Sequence, residues 1–192
     1  ILADETAVPS FVAADLLSQA EHGADSQVIL ISSSADVIRE SLAEVERQIL
    51  LLPRETTARK ALANSTAVRV KSIDEGLDLL NEYAPEHLII VCENAEQLAE
   101  RITNAGSVFL GNYSCESAGD YASGTNHTLP TNGAARAFSG VSVSSFMKSI
   151  TFQSLTEEGI TNLGPTIETL AAAEGLDAHK AAVSIRREWI GA

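Results

Sequence analysis

At 192 residues and 45% hydrophobic content, the chain is long enough to bury a sizeable core in one domain, with room for a small appendage. Thirteen Lys and Arg against 26 Asp and Glu leave a net charge of -13, which argues against nucleic acid or an anionic membrane surface as partner, because neither would meet a basic patch. Two cysteines, Cys92 and Cys115, are too few for a disulfide framework, and neither a bilayer-spanning apolar run nor a signal-like opening is present, so a reducing, cytoplasmic location is expected.

The chain opens Ile-Leu-Ala-Asp-Glu-Thr, and its one methionine is Met147, so Ile1 is not an unprocessed translation start. Residues 1–3 read as the end of a buried strand, and the chain is expected to be the later part of a longer polypeptide. Pro9 suits a first helical turn, and Phe11, Val12, Leu16, Leu17 and Ala20 recur at helical spacing, which predicts a helix over 8–22 closed by Gly23. Gln19 and His22, three apart, share a face of its last turn. The run QVILIS at 27–32 reads as a strand buried in a parallel sheet.

Residues 35–52 alternate an apolar stripe with a charged one and predict a helix broken at Pro53. A short helix over 54–63 and a strand over 66–70 follow. Ser72 with Glu75 has the form of a capping box opening a helix that ends at Tyr83. Pro85-Glu86-His87 leads into a buried strand over 88–91, Asn94 caps a helix running past Ile102 to Gly106, and residues 108–110 form the next strand. Strands alternating with helices at this spacing predict an α/β domain over 1–140, with a mainly parallel, Rossmann-like sheet flanked by helices. Beyond it, residues 143–152 are ambiguous, and helices over 155–170 and 178–190 make 141–192 a small helical module of the kind that packs on a partner chain.

The stretch SAGDYASGTNHTLP at 117–130 joins Gly119 and Gly124, which let a backbone approach a ligand, to Asp120, Asn126 and His127. By pattern alone it is either a site or a polar connection containing a helix cap. All four histidines have a carboxylate or carboxamide nearby in sequence: Gln19, Glu21 and His22; Glu86 and His87; Asp120 and His127; Glu174 and His179. Together they offer enough N and O donors for a metal site, although no zinc motif follows from their spacing. Glu86 and His87 could serve one substrate as two proton-transfer groups, provided the backbone turns between them; otherwise adjacent strand residues point to opposite faces.

Four segments, LLSQAEHG at 16–23, YAPEHLI at 83–89, GSVFLGNYSCESAGDYASGTNHTLPT at 106–131 and ETLAAAEGLDAHK at 168–180, closely resemble the histidinol dehydrogenase family, and the likeness runs from residue 1 to about 187. The resemblance implies two-step oxidation of L-histidinol to L-histidine through the aldehyde, with NAD as hydride acceptor, one zinc ion per site and an intertwined homodimer. It implies that Gln19, His22 and Asp120 ligate zinc with His179 from the other subunit, and that the same residues contact the substrate. Glu86 would activate water, His87 would act as the repeated general base and Glu174 would hold the substrate amino group. His127 and Glu116 receive only a place near the pocket.

Two features depart from that pattern. Cys115 stands where a proline or another small residue is expected, and no G-x-G-x-x-G loop is present, so most NAD contacts are expected upstream of Ile1. Two other readings therefore stay open. One is a zinc-dependent hydrolase with Glu86 as base. The other is an inactive C-terminal fragment lacking the NAD-binding half.

Overall fold

The computed structural model describes residues 1–191 and divides into two compact units, the first ending at Phe146 and the second starting at Met147. The first unit is built on a five-stranded sheet in the order β3-β2-β1-β4-β5, with every neighbouring pair parallel. Its strands are β1 (Leu2–Ala3), β2 (Ile29–Ser32), β3 (Thr66–Arg69), β4 (His87–Val91) and β5 (Ser107–Leu110). Its helices are α1 (Pro9–Ala20), α2 (Ala35–Ile49), α3 (Glu55–Leu62), α4 (Ile73–Tyr83), α5 (Ala95–Ala99) and α6 (Glu116–Tyr121). This is the doubly wound, Rossmann-like arrangement expected from the alternation of elements.

The continuous apolar strand runs follow from burial on both faces. Side chains alternate across each strand, so Ala3, Leu30, Ile89 and Val91 join the core beneath α1, α2 and α3, while Leu2, Ile31, Leu88 and Ile90 join the core beneath α4 and α5. The register follows suit, with Leu2 opposite Ile31 on one side and Ile90 on the other. Among the described residues, no helix is long and apolar enough to cross a membrane.

Several boundaries differ from the sequence expectation, each for a local reason. Glu21, in a right-handed helical conformation, closes α1 in place of Gly23, so His22 lies in the turn beyond the helix. α2 stops at Ile49, leaving Leu50 and Leu51 exposed before Pro53. At α4 the Ser72 hydroxyl accepts from the Glu75 amide as a capping box requires, but the Glu75 carboxylate accepts from the Lys71 amide at 2.7 Å, one residue earlier than Ser72. α5 ends at Ala99, well short of Gly106, and Asn94 makes no side-chain cap bond.

The second unit is a helical hairpin. α7 (Glu157–Ala173) and α8 (Asp177–Trp189) are joined through Glu174, Gly175 and Leu176. Thr156 caps α7 through the Gly159 amide, and α7 continues through Pro165 to Ala173, three residues beyond the end expected from sequence. The hairpin is pinned by Glu168, which accepts from Ser184 at 2.8 Å and from Arg187 at 2.7 Å. Leu163, Leu170, Ile185 and Trp189 are exposed on it, Trp189 at 90%.

Candidate active site

The site lies at the amino ends of β4 and β5, not in the crevice at the carboxyl ends where doubly wound sheets usually hold ligands. His87 is the first residue of β4 and has the same strand parity as Ile89 and Val91, so its ring points to the α1 side of the sheet. Glu86 precedes the strand in a bend, which answers the question of alternation: Glu86 and His87 line the same cavity of about 900 Å³, together with Asp15, Gln19 and Glu116. The bend is clamped by β5, since the Gly106 amide donates to Pro85 O at 3.0 Å and the Ser107 amide to Glu86 O at 2.9 Å. Only a residue without Cβ fits at 106, where a methyl would stand 2.5 Å from the Glu86 carbonyl oxygen.

The stretch 117–130 opens as helix, not loop. α6 starts at Glu116 and carries Asp120 one turn later, so both carboxylates project from one short rigid element, whereas residues 122–133 are irregular. Asn112 ties the connection before α6 to the start of α1, accepting from the Val8 amide at 2.8 Å and donating to Thr6 O at 3.0 Å. α6 packs through Gly119 onto Phe109 of β5, whose ring in turn stacks on His87 with centroids 6.1 Å apart.

Around His87 of β4 the groups converge from α1 and α6. Nδ1 lies 3.5 Å from the Gln19 carboxamide nitrogen, while Nε2 is 3.7 Å from Asp120 Oδ1 and 4.0 Å from Glu116 Oε1. Both carboxylate distances exceed a hydrogen bond, and Nε2 is buried with no partner. Asp120 Oδ1 also lies 3.2 Å from His127 Nδ1, although His127 itself is exposed. Glu116 is 2% exposed, and its second oxygen lies 3.2 Å from the Ser18 hydroxyl, whose one proton it shares with the Asp15 carbonyl oxygen at 2.9 Å.

Electrostatics follow from this crowding. The Glu86 carboxyl is raised above the ordinary carboxylate range, first by desolvation and then by the charges of Glu116 and Asp120, with His87 and His22 pulling the other way. Asp15 is pushed up to about 6, by burial and then by Glu116, against the opposing amino terminus of Ile1. His22 is exposed on the turn after α1 and close enough to act on Glu86.

The donor chemistry fits a divalent metal of the zinc type. One ligand atom each from His87, Glu116 and Asp120 lie within 4.8 Å of one another, with an orphaned imidazole nitrogen among them and the Gln19 carboxamide on its other side. The sequence reading named Gln19, His22 and Asp120 on the first unit, and the structure brings Gln19 and Asp120 to His87. Glu174 and His179 are on the second unit, exposed, at the end of α7 and in the first turn of α8. Sequence reasoning gave Glu116 no role and missed Asp15 and Ser18; the one signal for them is that Asp15, Ser18 and Gln19 fall on one side of α1.

Residues 1–187 match the family model described as histidinol dehydrogenase. The chain belongs to the histidinol dehydrogenase family. It is 59% identical over 186 residues to the histidinol dehydrogenase of Bacteroides thetaiotaomicron, covering 97% of this chain and 44% of the relative. To that of Escherichia coli K12 it is 54% identical over 186 residues, 97% of this chain and 43% of the relative. The crystal structure of histidinol dehydrogenase from Elizabethkingia anophelis superposes with a TM-score of 0.95 at 58% identity, covering all of this chain and 44% of that one. The chain thus spans under half the length of the histidinol dehydrogenases it matches.

Proposed function

We propose that this chain forms the zinc-binding and proton-transfer part of an enzyme that oxidises L-histidinol to L-histidine through the aldehyde. The observation that carries the reading is the convergence, in a family member, of His87, Glu86, Gln19 and Glu116 on one cavity at the amino ends of β4 and β5, with Asp120 beside His87. Gln19, His22 and Asp120 would hold the metal, with His179 supplied by a second copy, so that of the compact donor group only Asp120 would be a ligand and His87 and Glu116 would stay off the metal. Bound there, zinc would supply positioning, by chelating the imidazole and amine of the substrate.

The roles of the other groups follow from their placement. In the tautomer that carries the ring proton on Nδ1, the unpartnered Nε2 of His87 takes the hydroxyl proton as hydride leaves the alcohol carbon, and acts again in the second oxidation. Glu86, with its raised affinity for a proton, takes the proton of the water that adds to the aldehyde. Glu174 would pair with the substrate ammonium.

We place the NAD site outside the described residues. The carboxyl edge of the sheet carries Asp4, Glu5 and Glu93, whose charge opposes a pyrophosphate, and the Asp4 carboxylate is already occupied by Thr6 and by the Glu93 amide. The hydride acceptor is therefore assigned to the remainder of the enzyme. The exposed apolar residues of the hairpin support assembly into a homodimer, and the function is cytoplasmic biosynthesis.

Calorimetric titration of L-histidinol into the chain, with zinc and again after chelation, tests the reading. Saturable binding that needs zinc is expected. Absence of binding in a folded, zinc-loaded sample would remove the assignment of the pocket to this chain.

A further inference from the structure

Arg54 stands at the wrong end of its own helix for a cation. It is the N-cap residue of α3, makes no side-chain cap bond there, and a positive charge at that end opposes the positive pole of the helix. Arg39, Arg47, Arg59, Arg101, Arg136 and Arg187 each pair with a carboxylate, whereas Arg54 forms no ion pair among the described residues. It donates instead to a backbone oxygen far away in sequence, with Nη2 3.1 Å from His22 O.

That carbonyl belongs to the turn after α1. α1 has no basic residue in its last turn and closes on Glu21, so its negative pole lacks a cation of its own, and Arg54 brings one. The turn is fastened at other points as well. The His22 amide donates to Gln19 O at 3.2 Å, the Ser26 amide to Gly23 O at 3.1 Å and the Asn64 carboxamide to Ala24 O at 3.4 Å. The chain around α3 thus grips the turn twice, through Arg54 before the helix and Asn64 after it. His22 is exposed, so its backbone rather than close packing decides where its imidazole stands. That backbone is held on the amide side by Gln19 and on the carbonyl side by Arg54.

We propose that Arg54 is a positioning residue for His22: by holding the His22 carbonyl it fixes the turn after α1 and keeps the imidazole within reach of the metal that His22 would share with Gln19 and Asp120. Arg54 touches neither metal nor substrate in this role and acts through the main chain of the turn. The role rests on His22 being a ligand of the proposed site, whereas the contact itself needs no metal.

Contact and role are tested apart. His22-Gly23 is the one His-Gly step in the sequence, so the metal-free 192-residue chain, labelled with ¹³C at histidine carbonyls and ¹⁵N in glycine, gives a single His–Gly correlation. Arg54→Met keeps most of the stem and removes the donors, and the correlation should move; Arg54→Lys retains a charge and should bring it part of the way back. An unmoved correlation in Arg54→Met would overturn the proposal, whatever the protein catalyses. Competition with a chromophoric chelator should show zinc bound about tenfold more weakly by Arg54→Met and less weakened in Arg54→Lys, with Tm nearly unchanged because the contact is exposed. On a His22→Ala background Arg54→Met should cost nothing further, because the ligand it acts through is gone. Equal losses on the two backgrounds, or undiminished zinc affinity in Arg54→Met, would refute the positioning role. A His22→Ala chain that binds zinc as tightly as the unaltered one would remove the ligand assignment, and the role with it, while the correlation still reports on the contact.

Discussion

Gly119→Ala is a sharp test of how α6 is held. A Cβ at 119 would stand 2.5 Å from Phe109 Cε1, 2.7 Å from Thr125 Oγ1 and 2.8 Å from Phe109 Cζ. Ordinary contacts between heavy atoms need about 3.5 Å, so α6 and the Phe109 ring must part by roughly 1 Å. The ring cannot turn away freely, because Phe109 is buried in the core beneath α1 and stacked on His87. Overpacking of this kind costs about 1 to 3 kcal/mol. The gain in helix propensity from Gly to Ala offsets about 1 kcal/mol of that at most. Taking the middle of that cost, about 2 kcal/mol, the net loss is about 1 to 2 kcal/mol, equivalent to a fall in Tm of roughly 3 to 8 °C for a unit of this size. Since α6 carries both Glu116 and Asp120, the same displacement should weaken zinc binding by about tenfold or more. Thermal melting and competition with a chromophoric chelator measure the two effects. A variant that melts at the original temperature and binds zinc as tightly would mean that Phe109 does not fix α6, and the packing argument would be wrong.

Asp15→Asn should stabilise the protein at pH 8 and leave it unchanged at pH 3. The Asp15 carboxyl rises from 3.8 to about 6 on folding, so the folded state holds this proton more tightly, and stability falls as pH climbs from about 4 to 6. Allowing for solvent screening, denaturant titration at pH 8 should show a gain of about 1 to 2 kcal/mol; a loss would contradict the sign. In native protein at pH 8, iodoacetamide should modify the half-buried Cys115 and spare Cys92, whose thiol burial pushes up to about 12, with equal labelling counting against its burial. Mixing subunits carrying His179→Ala with subunits carrying His22→Ala should regenerate one zinc site per heterodimer. Mixtures without any recovered site would place His179 outside the partner's site.

The order of elements was legible in the residues alone, because strand burial on both faces and the apolar stripe of α2 are local patterns that survive any packing. The family was legible for a similar reason: LLSQAEHG, YAPEHLI and SAGDYASGTNHTLP are contiguous strings. Element ends were less so. α5 stops at Ala99 although its apolar spacing continues to Ile102, and α7 runs to Ala173, past the expected end at residue 170.

What only the tertiary structure decided is which polar groups meet. Residues 15, 18, 19, 86, 87, 116 and 120 are neighbours because β4 and β5 pair in parallel, the chain turns at Asn112, and α6 folds back over the end of α1. No spacing in the chain encodes those distances. Glu116 is the clearest case: by composition it is one of 26 acidic residues in a chain of charge -13, and burial beside an unpartnered imidazole nitrogen is what sets it apart. Side-chain type and periodicity act over a few residues and so settle local structure, whereas desolvation and charge pairing depend on whatever the fold brings within about 4 Å.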